Sequence, residues 1–173
     1  MNLPDWTLHA YGAGELKNNI QQQIDKASLN GKMILHDPVP NILEKYVDSS
    51  IYIMSSRFEG FGMVLVEAME CGLPCVSFDC PYGASDIIRN GEDGYIVDYL
   101  NSQQLAFRIC DLIEDDNKRI TMGRKAKRNI QRYNQEAVMK QWVDLFNCLT
   151  VKEAWFTMAW YDKYLAIYGK PFS

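Results

Sequence analysis

Short apolar runs alternate with amphipathic stretches along most of the chain. Trp6-Thr7-Leu8-His9-Ala10-Tyr11 predicts a strand, stopped by Gly12-Ala13-Gly14. Leu16, Ile20, Ile24 and Ala27 then recur at spacings of three and four, one face of a helix. Met33-Ile34-Leu35-His36 is a second strand, ended by Asp37-Pro38-Val39-Pro40, and Ile42, Leu43, Tyr46 and Val47 make a short helix. Ile51-Tyr52-Ile53-Met54 is apolar throughout, as in strands of sheets covered on both faces. A helix over about 62–71, a strand at Pro74-Cys75-Val76-Ser77-Phe78, a helical turn from Ala84 to Ile88 and a strand at Gly94-Tyr95-Ile96-Val97 follow.

From Ser102 onward the period is helical. Leu105, Ile109, Leu112 and Ile113 line one face, and further helices are expected over 117–130, 134–148 and 151–168, with Asn117 and Asn134 as N-caps. Strands alternating with helices imply right-handed crossovers and a doubly wound, parallel α/β fold. The pattern contains no internal repeat and no low-complexity linker.

Composition narrows the function. The chain has 173 residues, 47% of them hydrophobic and 23% charged, the balance of an ordinary globular protein. A net charge of −4 argues against bulk attraction to nucleic acid. No apolar run approaches the ~20 residues of a membrane span, and the first residues do not read as a signal peptide. Five cysteines, Cys71, Cys75, Cys80, Cys110 and Cys148, form no Cys-x-x-Cys pair and read as free thiols of a reducing cytoplasm. His9 and His36 stand at no ligand spacing from a cysteine, so neither a zinc site nor a histidine-activated nucleophile is expected.

Chemistry concentrates in Ser55-Ser56-Arg57-Phe58-Glu59-Gly60-Phe61-Gly62-Met63-Val64-Leu65-Val66-Glu67-Ala68-Met69-Glu70-Cys71-Gly72-Leu73-Pro74. A strand ends, a loop with two glycines follows, and a helix begins near Gly62. Ligands of open α/β sheets bind beyond the carboxyl ends of the strands, and a helix N-terminus favours an anion such as phosphate. Glu59 can accept bonds from sugar hydroxyls. Glu67, eight residues on, is expected about two turns into the helix, roughly 12 Å along its axis. A strand-to-helix turn with two solvated glutamates is the plainer alternative.

This segment, with Phe78-Asp79-Cys80-Pro81-Tyr82-Gly83-Ala84-Ser85-Asp86-Ile87-Ile88 and Asn90-Gly91-Glu92-Asp93-Gly94-Tyr95-Ile96-Val97 in order after it, closely resembles the donor-binding signature of glycosyltransferase family 4, retaining enzymes of the GT-B fold. Tyr11-Gly12-Ala13-Gly14-Glu15 resembles its upstream glycine motif, without the acidic residue and proline often found there. The resemblance covers about residues 6–148. It implies the Rossmann-like C-terminal half of a GT-B enzyme, with a partial donor-binding domain over 1–150 and a C-terminal aromatic helix over 151–173.

The resemblance also assigns roles. Glu59 is the catalytic-site carboxylate that holds the donor sugar. Gly60, Phe61, Gly62, Met63 and Val64 contact sugar and distal phosphate, Glu67 binds the ribose, and Gly12 and Val39 belong to the donor site, Val39 in the base-contacting loop. A proline-bounded turn is the equal alternative at Val39. The implied reaction transfers a hexosyl group from a nucleotide diphosphate-sugar, uridine favoured over guanosine, to a glycan or lipid-linked acceptor of the cell envelope. No cofactor and no metal are implied, in keeping with the lack of an Asp-x-Asp motif. The acceptor domain and the first strand and helix of the donor domain, with their basic pair, have no counterpart here. The chain alone is therefore expected to be inactive; a non-catalytic nucleotide-binding or interaction module is the alternative.

Two further segments carry expectations. Lys118, Arg119, Arg124, Lys125, Lys127, Arg128 and Arg132 form a basic run, read as a solvated helix face or as a contact with anionic lipid at the inner face of the membrane. Trp155, Phe156, Trp160, Tyr161, Tyr164 and Tyr168 mark the C-terminal helix, which packs on its own domain or, exchanged between two copies, makes a homodimer.

Overall fold

The computed structural model describes residues 6–150. The segment 151–173, where the aromatic helix is expected, lies outside the described residues. The chain divides into two compact units, the first ending at Asp48 and the second beginning at Ser49.

In the first unit β1 (Leu8–Tyr11), α1 (Lys17–Lys26), β2 (Met33–His36) and α2 (Ile42–Val47) follow one another. β1 and β2 pair in parallel, Leu8 opposite Met33 and Tyr11 opposite His36. Of the predicted apolar face on α1 only Ile24 is buried; Leu16 and Ile20 stand exposed. The register also joins two residues that the sequence holds 27 apart. His9 Nδ1 and His36 Nε2 lie 2.8 Å apart, one donating and the other accepting, and Tyr11 stacks on His36 at 4.5 Å.

The second unit holds β3 (Tyr52–Met54), α3 (Met63–Glu70), β4 (Cys75–Phe78), α4 (Ala84–Ile87), β5 (Gly94–Val97), α5 (Ser102–Glu114), α6 (Asp116–Asn129), a 3-10 turn at Ile130–Tyr133 and α7 (Gln135–Thr150). Its sheet has the order β3-β4-β5, all parallel, with Tyr52 opposite Cys75 and Cys75 opposite Gly94. The fold is α/β with parallel strands, as the alternation predicts, and the strands form two sheets rather than one uninterrupted sheet. β4 is the central strand and is buried at every position. Val76, Phe78, Tyr95, Val97, Leu112 and Met122 form the core, and Ile51, Leu105 and Ile109 pack against it.

Two local expectations change. Asp115, not Asn117, caps α6, its carboxylate accepting from the Lys118 amide at 2.9 Å. A cap accepts from an amide two or three residues on, so a helix that opens at Asp116 is capped by Asp115. Asn134 caps α7 as predicted, accepting from Ala137.

The basic run is not a uniform solvated face. Lys118 grips both oxygens of Asp111, and Arg119 donates to the Leu112 carbonyl and pairs with Asp116. Arg132 donates to the carbonyls of Asn129, Asp86 and Ile87. Arg119 and Arg132 close helix ends and turns, where their charge opposes the exposed carbonyls. Arg124, Lys125, Lys127 and Arg128 remain on the outside of α6.

Among the described residues all five cysteines are free thiols, and no helix is long and apolar enough to cross a membrane.

Candidate functional site

The loops after all three strands of the second unit meet at their carboxyl ends. The β3 loop, residues 55–62, is held from both sides. Tyr99, just after β5, donates its hydroxyl to the Arg57 carbonyl at 3.0 Å. Tyr82, after β4, meets Phe58 edge to face at 6.2 Å. Gly83 comes so close that a β-carbon there would stand 2.0 Å from the Phe61 carbonyl oxygen. Its φ of +108° adds a second reason for glycine, because L side chains rarely adopt that conformation.

Gly62 ends the loop in the left-handed region, φ +91°, and α3 starts at Met63. Leu65 donates back to the Gly62 carbonyl, but no side chain caps the helix. The first amides of a helix have no intrahelical partner, and their dipoles favour an anion. Met63 is exposed and Val64 half-buried, so the opening of α3 faces solvent.

Glu59 is half-buried on this loop. Its charge helps push the buried Cys80 thiol above its ordinary range, second to burial itself and ahead of Asp79. The Glu59 carboxylate therefore lies toward the carboxyl end of β4. Glu67 is also half-buried. It stands four residues into α3, one turn or about 6 Å along the axis. The expected two turns and 12 Å are corrected: half of the eight-residue spacing is spent in loop, where chain length does not become axial rise.

The predicted site residues thus divide between the units. Glu59, Gly60, Phe61, Gly62, Met63, Val64 and Glu67 form one continuous loop-to-helix segment of the second. Gly12 and Val39 lie in the first, at the carboxyl ends of β1 and β2; the Gly12 amide extends the ladder to the His36 carbonyl at 3.2 Å. Lys17, the first cation of the chain, is paired with Asp37, whose carboxyl it holds below the usual range. No group of three or more histidines, cysteines or carboxylates with metal-binding geometry occurs among the described residues.

Sequence reasoning missed the residues that hold the loop. Tyr82 and Gly83 were legible only as part of a longer motif, and Tyr99 gave no signal. Tyr133 also contributes, meeting Phe61 edge to face at 5.5 Å while donating to the Asp86 carbonyl. Asp93 is fully buried and organises the turn before β5, accepting from the Arg89 amide and from Asn129.

Comparison with known proteins places this geometry. The family described as "Glycosyl transferases group 1" matches residues 1–129. The amylovoran biosynthesis glycosyltransferase AmsD of Erwinia amylovora is 34% identical over 142 residues, 82% of this chain and 40% of that protein. The poly(ribitol-phosphate) alpha-N-acetylglucosaminyltransferase of Staphylococcus aureus is 31% identical over 140 residues, 80% of this chain and 28% of that protein. A crystal structure of a Staphylococcus aureus TarM variant, in complex with Fondaparinux, alpha-GlcNAc-glycerol and UDP, superposes with a TM-score of 0.77 at 31% identity, covering 82% of this chain and 29% of that one. The chain spans well under half the length of these relatives. With parallel α/β units, a glycine-hinged helix start beyond a strand end and a family match over three quarters of its length, the chain belongs to the group 1 glycosyl transferases.

Proposed function

We propose that the chain is the donor-binding part of a retaining glycosyltransferase, which moves a hexosyl group from a uridine diphosphate-sugar to a glycan or lipid-linked hydroxyl. The observation that carries this reading is the uncapped start of α3, hinged at Gly62 and fixed by Gly83, Tyr82 and Tyr99, with one carboxylate before it and one a turn inside. The Gly60 to Val64 backbone meets the distal phosphate, where amide dipoles stabilise the charge that grows as the diphosphate departs. Glu59 orients the sugar through its hydroxyls. Glu67 accepts from the ribose. Retention follows when the acceptor oxygen arrives on the face the diphosphate leaves. Uridine is favoured because UDP is the nucleotide in the TarM complex. Five free thiols fit a cytoplasmic location.

The test is a titration of the chain with UDP, followed at the backbone amides. Saturable shifts centred on Gly60 to Val64 are expected, with weak affinity near millimolar, about −4 kcal/mol. Shifts elsewhere with none at these amides overturn the assignment.

A further inference from the structure

A second cleft lies at the opposite end of the β3-β4-β5 sheet from the donor loop. Its volume is about 330 Å³, and Ser49, Ser50, Gly72, Arg119, Arg124 and Lys127 are prominent in its wall. Ser49 and Ser50 precede β3, and Gly72 closes the turn before β4, so the cleft opens at the amino ends of the strands. No carboxylate lines it. Asp48 and Glu70 flank lining residues in sequence but are not in the wall, and Glu70 accepts from Gln131.

Two of the three cations there are not structural caps. Arg119 is already committed to Leu112 and Asp116, whereas Arg124 and Lys127 take part in no ion pair among the described residues. They are three apart on α6 and so project from one face. Gly123, on the same side of α6, packs so closely on the Gly72 carbonyl that a β-carbon there would clash, and Leu73, Pro74 and Ile120 complete the wall. Nor are they needed to close α3. Its last turn is satisfied by backbone bonds from Cys71 to Glu67, Gly72 to Met69 and Leu73 to Ala68. A concave surface with positive charge and no carboxylate in its wall concentrates small anions, and guanidinium groups match phosphate oxygens in geometry as well as charge.

We propose that this cleft binds a phosphate group carried by a ligand other than the sugar donor. Arg124 and Lys127 supply the charge and the Ser50 hydroxyl adds a neutral donor. The site is separate from the donor loop and does not depend on the function proposed for it.

Titration of the chain with inorganic phosphate tests this, again read at the amides. Saturable shifts are expected at Ser49, Ser50, Gly72 and Gly123, weakened about tenfold or more in the Arg124→Gln, Lys127→Gln double variant, as loss of two charge-assisted partners requires. The map on the unsubstituted chain stands by itself should the variant fold poorly. Two further probes identify the source. Retention on phosphatidylglycerol vesicles, lost in the double variant and absent with phosphatidylcholine, assigns a lipid headgroup. Glycerol phosphate shifting the same amides without vesicle retention assigns a soluble ester. Phosphate shifts confined to Gly60 to Val64, absent altogether, or undiminished in the double variant overturn the proposal.

Discussion

Gly83 and Phe61 are in backbone contact across two loops: a β-carbon on Gly83 would meet the Phe61 carbonyl oxygen at 2.0 Å and its carbon at 2.5 Å. Backbone cannot yield as a flexible side chain can. Gly83→Ala is therefore expected to destabilise the chain by about 2–3 kcal/mol, in the range of backbone-strain substitutions. It should also displace the loop that opens α3. Urea denaturation reads the first effect, and weaker UDP-induced shifts at Gly60 to Val64 read the second. An alanine variant of wild-type stability would mean that the contact is not this close.

The two carboxylates separate by role. In an enzyme that carries this segment together with its acceptor domain, Glu59→Ala should lower turnover strongly with little change in UDP affinity. Glu67→Ala should weaken UDP binding by about 1–3 kcal/mol, the scale of lost hydrogen bonds to a charged group. Steady-state kinetics beside calorimetry separates the two. Unchanged UDP affinity in Glu67→Ala would remove the ribose assignment.

Gly123 makes the α3–α6 contact possible. A β-carbon there would lie 2.2 Å from the Gly72 carbonyl oxygen and 3.2 Å from Pro74 Cδ. Alanine gains about 1 kcal/mol of helix propensity at such a position. The clash with backbone outweighs it, and Gly123→Ala should unfold at lower temperature than the native chain. Gly14→Ala, with nothing within 4 Å of the added carbon, is the control expected to stay within about 0.5 kcal/mol.

Asp111 gives the second unit an acid-sensitive clasp. Lys118 first, and the Tyr95 hydroxyl at 2.9 Å after it, hold its carboxyl below the ordinary range. A carboxyl lowered in the folded state stabilises above its unfolded pKa, about 4, and that contribution is lost as pH falls through the folded value. Asp111→Asn should cost on the order of 1 kcal/mol at neutral pH, modest because the pair is partly exposed. The difference between variant and native chain should shrink below pH ~4. A gap that persists into acid would assign the effect to packing instead.

Met139, Trp142, Val143 and Phe146 are all exposed on α7 at helical spacing, with Trp142 and Phe146 stacked at 5.7 Å. Exposed apolar stripes of this kind mark association surfaces. The chain should self-associate at micromolar concentration, and Trp142→Glu should shift it toward monomer. Light scattering decides, and a native chain that runs as a 19.9 kDa monomer would refute the prediction.

Element type and order could be read from the sequence because each depends on neighbours close along the chain. Period-two and period-3.6 patterns located the strands and most helices, and the run from Ser55 to Pro74 marked the strand-to-helix turn that carries Glu59 and Glu67. Tertiary structure decided what that turn rests on. Gly83 under Phe61 and Tyr99 on Arg57 join residues 22 and 42 apart, and no local period encodes such pairs. It also decided which cations of the basic run are structural: Lys118, Arg119 and Arg132 find carbonyls or Asp111, while among the described residues Arg124 and Lys127 do not. Identity along a sequence sets the charge a residue carries; only packing sets which oxygen it meets. The pairing of His9 with His36 has the same origin, since the register of β1 on β2, not either residue's own surroundings in sequence, brings the two rings together.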